Sequence, residues 1–123
     1  EFTRRLVFQN YANAYFAVAD GLSQSGFNAA AADYYKTGLF FYEADGAYIN
    51  LGLAYYRIGN LAEAEKAWAD AISYNPSSSV AYSNMAFVYL SRNEKLKARE
   101  YAQKALNLDP KNATAASLLQ NIR

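Results

Sequence analysis

The sequence predicts an all-α fold built from repeated antiparallel helix pairs, and two observations support this. The first is an internal repeat of 34 residues, in which residues 45–78 align without a gap with residues 79–112. The second is the spacing of apolar residues, which recur every three to four positions as on one face of a helix. A single unit of this size cannot bury its apolar faces alone, so copies must stack. The matching pairs are Ala47 and Ala81, Tyr48 and Tyr82, Asn50 and Asn84, Tyr55 and Tyr89, Ala64 and Ala98, Ala71 and Ala105, and Pro76 and Pro110.

The first helix of residues 45–78 is predicted from its apolar face and from the break that follows. Gly59 and Asn60 interrupt the helical spacing, and Asn60 followed by Glu63 is an N-terminal capping arrangement. A second helix is therefore expected to start at this point. The face of the first helix comprises Tyr48, Leu51, Gly52 and Tyr55, and that of the second comprises Leu61, Ala64, Ala67 or Trp68, Ala71 and Ile72.

The end of the second helix and the start of the next unit follow from local chemistry. Pro76 ends the helix, because the residue before a proline is pushed out of the helical region, and Ser78 can cap the next helix. Asn93 takes the place of Gly59 in residues 79–112. Asn tolerates left-handed backbone better than most residues, so the same break is expected there.

Weaker signals extend the pattern to both ends of the chain. Gly26 aligns with Gly59 at an offset of 33, which indicates a degenerate copy, and Asn112 is placed to cap a lone final helix. The predicted segments are an N-terminal extension of the first helix (1–11), a degenerate first repeat (12–44), two full repeats (45–78 and 79–112) and a capping helix (113–123).

The amino-acid composition excludes several classes of function. The net charge is only +1, which gives no electrostatic case for nucleic acid or an anionic membrane. The absence of Cys excludes a disulfide framework and a thiolate nucleophile, and the absence of His removes the commonest general base and metal ligand. The sequence therefore predicts a non-enzymatic protein with no cofactor and no metal site.

Localisation is left open by the sequence. No apolar run approaches the roughly 20 residues needed to span a bilayer, and the start, Glu1 to Arg5, does not resemble a signal peptide. A chain without Cys suits the cytoplasm and the periplasm equally. Since the sequence does not begin with Met, we expect it to be a segment of a longer protein.

The repeat resembles the tetratricopeptide repeat, whose pattern is W-x2-L-G-x2-Y…A-x3-F…P. Residues 45–78 fill every position of that pattern with an accepted residue type, and residues 79–112 match it more loosely, with Met85 and Ala86 at the Leu-Gly positions. The resemblance implies a right-handed superhelical solenoid of three units and a capping helix. It also implies that the first helix of each unit lines a concave groove. The residues that carry the match are Tyr48, Leu51, Gly52, Tyr55, Ala64, Trp68, Ala71 and Pro76.

The same resemblance implies a site for a protein or peptide partner. In this family the groove is lined by first-helix residues that are not needed for helix packing, and here they mix aromatic, aliphatic and Asn side chains. The expected function is that of a scaffold or adaptor, with the partner's identity open. The expected groove residues are Asn13, Phe16, Asp20, Ile49, Asn50, Leu53, Tyr56, Arg57, Ser83, Asn84, Phe87 and Leu90.

One well-defined kind of partner is disfavoured. Members of the family that bind the acidic C-termini of cytosolic chaperones use Lys and Arg in the groove as a carboxylate clamp. In this chain only Asn50 agrees with that set, and a terminal carboxylate would lack its charge-assisted partners. The other matching positions hold Phe16, Asp20, Val80 and Asn84.

Self-association is the alternative function. The ends of a solenoid expose apolar flanks, and the segment from Phe2 to Tyr11 is apolar at Leu6, Val7 and Phe8. Such a segment either pairs with a second copy or extends the first helix and caps the stack of helices. Homo-oligomerisation through the end faces or the groove therefore stands beside the adaptor hypothesis.

Overall fold

The computed structural model describes residues 1–122, and this part of the chain contains α-helices and no β-strand. The prediction of an all-α helical-repeat fold is confirmed. None of the helices in this range is both long and apolar enough to cross a membrane. The helices are α1 (Phe2–Gln24), α2 (Asn28–Phe41), α3 (Asp45–Arg57), α4 (Leu61–Tyr74), α5 (Ser79–Ser91), α6 (Lys95–Leu108) and α7 (Ala113–Asn121).

The helices form two compact units, and the boundary falls within α4. The first unit comprises Glu1–Ala67, where α2 packs against both α1 and α3. The second unit begins at Trp68, and within it α5, α6 and α7 pack against one another. Short turns join consecutive helices, so partners within a unit run antiparallel.

Three side chains cap helix N-termini as the sequence predicts. The Oδ1 atom of Asn60 accepts a hydrogen bond from the backbone N of Glu63 at 3.3 Å, at the start of α4. Ser78 does the same for α5 through its Oγ, and Asn112 for α7 through its Oδ1. Each cap satisfies a backbone N–H that has no partner inside its helix, so these predictions are confirmed.

The breaks between paired helices use left-handed backbone. Gly26, Gly59 and Asn93 have φ values of 85°, 84° and 62°. The prediction that Asn93 replaces Gly59 in this role is confirmed. Left-handed backbone costs most residues roughly 1–2 kcal/mol, whereas Gly and Asn adopt it readily.

Small residues lie where helices approach most closely. Alanines that are completely buried recur on successive helices, among them Ala12, Ala31, Ala64 and Ala98. Gly38 on α2 marks a tight approach in the first unit, because a Cβ atom there would collide with the Phe16 ring of α1. Large side chains then fill the space beside these contacts, as Tyr35 and Trp68 do.

Helix α1 is a single 23-residue helix that starts at Phe2. Its N-terminal half packs on the end of α2, where the rings of Phe8, Tyr11 and Tyr15 lie 5.8–6.2 Å from the Phe41 ring. Residues 1–8 remain exposed, including Phe2 at 80%. The apolar segment of the sequence thus extends the first helix and leaves apolar side chains on its surface.

We expect Gly38→Ala to lower the free energy of unfolding by about 1–3 kcal/mol, the usual cost of overpacking. The added methyl group would meet the Phe16 ring and lie 3.2 Å from the carbonyl oxygen of Ala12. Gly21→Ala is the matched control, because Gly21 lies in α1 with nothing within 4 Å of its Cβ position. Ala there should stabilise by up to about 1 kcal/mol. Urea denaturation measures both, and equal effects would contradict the tight contact.

Candidate functional site

A polar cleft lies within the first unit, between α1, α2 and α3. Its volume is about 610 Å³. Four of the predicted groove residues line it, namely Asp20, Asn50, Leu53 and Arg57. The remaining lining residues come from the end of α1, the following turn and α2: Ser23, Gln24, Gly26, Asn28 and Tyr35.

Tyr35 anchors the wall of the cleft. Its side chain is almost completely buried, and its hydroxyl donates a hydrogen bond to Oδ1 of Asp20. Burial raises the pKa of Tyr35 well above its ordinary value near 10, and the hydrogen bond to Asp20 and the charge of that carboxylate raise it further. A hydrogen bond with Asn50 and the charge of Arg57 act in the opposite direction. The phenol therefore stays protonated and orients Asp20.

Arg57 lines the cleft from the end of α3. Its Nη1 donates to Oγ of Ser23 on α1 at 2.9 Å. A cation in the last turn of a helix also interacts favourably with the helix dipole. Asp20 and Arg57 are both exposed, and each bonds to a hydroxyl group of a neighbouring helix.

The other predicted groove residues of the first unit lie outside the lining of the cleft. Phe16 is half-buried against the core, with its ring 6.4 Å from the Tyr35 ring. Its packing against Tyr35 and Gly38 accounts for its apolar character without a partner. Asn13 and Tyr56 are exposed, and Ile49 is half-buried.

Ser83, a predicted groove residue in the second unit, is buried. It is only 2% exposed, donates to the carbonyl oxygen of Val80 at 2.9 Å and accepts from Nδ2 of Asn112 at 3.4 Å. The prediction that it faces an open groove is wrong, because Asn112 covers it. Asn112 also binds Oγ of Ser79 at 2.8 Å while it caps α7, so one side chain ties α7 to α5.

The other three predicted residues of the second unit are half-buried. Phe87 and Leu90 pack against the cluster formed by Ala86, Ala102 and Leu118. The Nδ2 atom of Asn84 is buried and has no hydrogen-bond partner within residues 1–122, an arrangement that costs about 1–3 kcal/mol. That Asn84, Phe87 and Leu90 contact a partner stays a prediction.

Sequence reasoning did not identify Tyr35, Ser23, Gln24 and Asn28 as lining residues of a cleft. The sequence does contain a signal for these residues, because the turn around Gly26 joins two antiparallel helices. Antiparallel helices bring together residues that are about equally far from the turn that joins them, as Asp20 and Tyr35 are. Within residues 1–122 no group of three or more acidic side chains is placed to hold a metal ion.

The helix pairs, their capped starts and their left-handed breaks define the class: an all-α helical-repeat protein. A family model of the tetratricopeptide repeat matches residues 46–78 and 79–112. The two matches cover more than half of the chain, and the chain belongs to the tetratricopeptide repeat family.

Comparisons with single proteins agree with this. The type IV pilus assembly protein PilF of Pseudomonas aeruginosa is 39% identical over 71 residues, which are 58% of this chain. The matched region spans only 28% of that protein.

Two solved structures share the fold at low sequence identity. The first tetratricopeptide domain of Spaghetti (RPAP3), bound to the HSP90 peptide SRMEEVD, is 23% identical, with a TM-score of 0.87 over 93% of this chain and 91% of that one. The second domain of human RPAP3, in complex with the HSP70 peptide SGPTIEEVD, is 22% identical, with a TM-score of 0.83 over 96% and 97%.

The raised pKa of Tyr35 predicts a loss of stability in alkali. Above pH 10 the unfolded chain releases the phenolic proton that the folded chain retains, so folding stability falls as pH rises. We expect the free energy of unfolding of the wild type to fall more steeply between pH 10 and pH 12 than that of Tyr35→Phe. Denaturant titrations at each pH measure the slopes, with Tyr34→Phe as a control for an exposed phenol on the same helix. Equal slopes for the wild type and Tyr35→Phe would contradict this role.

Proposed function

We propose that this chain is a non-enzymatic protein–protein interaction module that binds a peptide segment of a partner in the first-unit cleft. The observation that carries the proposal is the cleft itself, which combines a carboxylate, a guanidinium and an amide with the apolar side chain of Leu53. Binding sites commonly join apolar walls to a few oriented polar groups. Membership of the tetratricopeptide repeat family supports the same function.

The side chains of the cleft suit an extended peptide. Asn50 carries an amide group that can donate to and accept from a peptide backbone. Leu53 is half-buried and offers an apolar contact for a side chain of the partner. When an extended peptide binds, its backbone hydrogen bonds provide affinity, and the pockets that hold its side chains provide specificity.

An acidic peptide tail is not the partner that we propose. The peptides bound by the two RPAP3 domains each contain two Glu and a terminal Asp. In this chain the cleft has the carboxylate of Asp20 on one wall, which would repel such a tail. Arg57 is the only cation among the lining residues.

Peptide selection tests the proposal directly. A phage library of random peptides of about eight residues, which span about 25 Å when extended, is selected on the immobilised protein. We expect specific sequences to be enriched, and Leu53→Glu to abolish their binding because it places a charge in the apolar wall. Leu96→Glu is the control, since Leu96 on α6 is 81% exposed and lies outside the cleft. Circular dichroism establishes that both variants are folded. Enrichment that is unaffected by Leu53→Glu would contradict the proposed site.

Self-association through the aromatic end of the first unit is a second candidate function. Phe2 and Phe40 are 80% and 86% exposed, and Leu6, Val7 and Tyr11 on α1 are each more than 40% exposed. Clustered apolar groups on a surface are typical of an interface. The Phe41 ring contacts Phe8 and Tyr11 of α1 and the neighbouring Phe40 of α2, and these contacts order part of this surface.

Light scattering at increasing protein concentration tests this second candidate. We expect the apparent mass to rise toward that of a dimer, and the double variant Phe2→Ser/Phe40→Ser to remain at the monomer mass of 13.7 kDa. Leu108→Ser, exposed at the end of α6, is the control for loss of a surface apolar group. A constant monomer mass for the wild type would exclude self-association in that concentration range.

A further inference from the structure

We propose that the first-unit cleft selects peptide segments that carry a basic side chain opposite Asp20 and an acidic side chain opposite Arg57. The inference rests on the proposed peptide-binding function and adds the charge pattern of the partner. It assigns to this chain a specificity different from that expected of a clamp for acidic tails.

The first observation is that the two opposite charges of the cleft are not paired with each other. Oδ1 of Asp20 accepts from the Tyr35 hydroxyl, and no hydrogen bond to its other carboxylate oxygen is found within residues 1–122. The guanidinium of Arg57 uses Nη1 to reach Ser23 and has no carboxylate partner in this range. Each charge therefore keeps hydrogen-bonding capacity for a ligand.

The second observation is that neutral groups fix both charges in place. Tyr35 is buried and Ser23 is half-buried, so the two hydroxyls that hold Asp20 and Arg57 belong to the packed body of the first unit. A side chain that is already oriented loses less conformational entropy when a ligand binds. The cleft thus presents a fixed negative group on α1 and a fixed positive group at the end of α3.

The chemistry of the occupant follows from charge complementarity. A Lys or Arg of the partner can bond to the free oxygen of Asp20, and an Asp or Glu can bond to the remaining N–H groups of Arg57; both bonds are charge-assisted. A peptide with only acidic residues would satisfy Arg57 but meet repulsion at Asp20. A peptide of the reverse order would meet repulsion at both, so charge order as well as composition is selected.

Selection with conservative variants tests the charge pattern. Asp20→Asn retains an acceptor for Tyr35, and Arg57→Gln retains a donor for Ser23, so both variants should stay folded. The library of about eight residues is selected on each protein and sequenced. We expect the wild type to enrich one basic and one acidic position at a constant spacing. Asp20→Asn should lose the basic preference alone, and Arg57→Gln the acidic preference alone.

Affinity measurements on one enriched peptide make the test quantitative. By fluorescence anisotropy, each variant should bind it about tenfold more weakly, the loss expected for about 1.4 kcal/mol, and added salt should shrink this difference. Asp33→Asn and Lys36→Gln are the matched controls, since both residues are exposed on α2 outside the cleft lining. Neither control variant should change the affinity for the peptide or the consensus of the selected sequences.

Three outcomes would overturn the inference, and they are distinguishable from one another. Enriched peptides with the same charge pattern in all variants would exclude Asp20 and Arg57 as selectors while the peptide-binding function stands. A consensus of acidic residues alone would show a clamp for acidic tails. If neither the wild type nor any variant enriches a peptide, the proposed function itself fails, and the charge pattern fails with it.

Discussion

The close approach of helices at small residues is the constraint on which the rest of the structure depends. Gly38 admits the Phe16 ring, and the completely buried Ala12, Ala19 and Ala31 let α1 and α2 come together. A methyl group contributes only about 0.8 kcal/mol on burial, so these residues matter mainly through the spacing that they allow. That spacing fixes the register between α1 and α2, and the register brings the hydroxyl of Tyr35 to the carboxylate of Asp20.

Hydrogen bonds between residues that are far apart in the sequence then orient polar side chains on the packed helices. In the first unit Arg57 reaches back 34 residues to Ser23, and in the second unit Asn112 reaches back 33 residues to Ser79. The two bonds have opposite consequences. The Arg57 bond leaves a charged head at the surface, whereas the Asn112 bonds close over Ser83 and remove it from solvent. Hydrogen bonds of similar sequence separation can therefore leave a side chain exposed in one unit and buried in the other.

Features fixed by local chemistry were predictable from the sequence, and those fixed by tertiary contacts were not. The caps at Asn60, Ser78 and Asn112 and the left-handed Asn93 depend on a few neighbouring residues, so the pattern was sufficient. The burial of Ser83 depends on a residue beyond the end of its own helix pair. By its position in the repeat, Phe16 is expected to face the groove. Because Gly38 on α2 has no side chain, the Phe16 ring packs there, against the core.

The absence of an ion pair between Asp20 and Arg57 is consistent with the proposed binding of a charged peptide. An ion pair between two exposed side chains would contribute only about 0–1 kcal/mol, so keeping them apart costs the fold little. A ligand that covers each charge gains more, because charge-assisted hydrogen bonds strengthen when water is excluded. The buried Tyr35 adds to this, since a neutral donor orients Asp20 without neutralising it. If a Lys stood in place of Tyr35, the carboxylate would already be paired and would offer a partner far less. The fold therefore keeps two charges unpaired with each other, where pairing them would add little to its own stability.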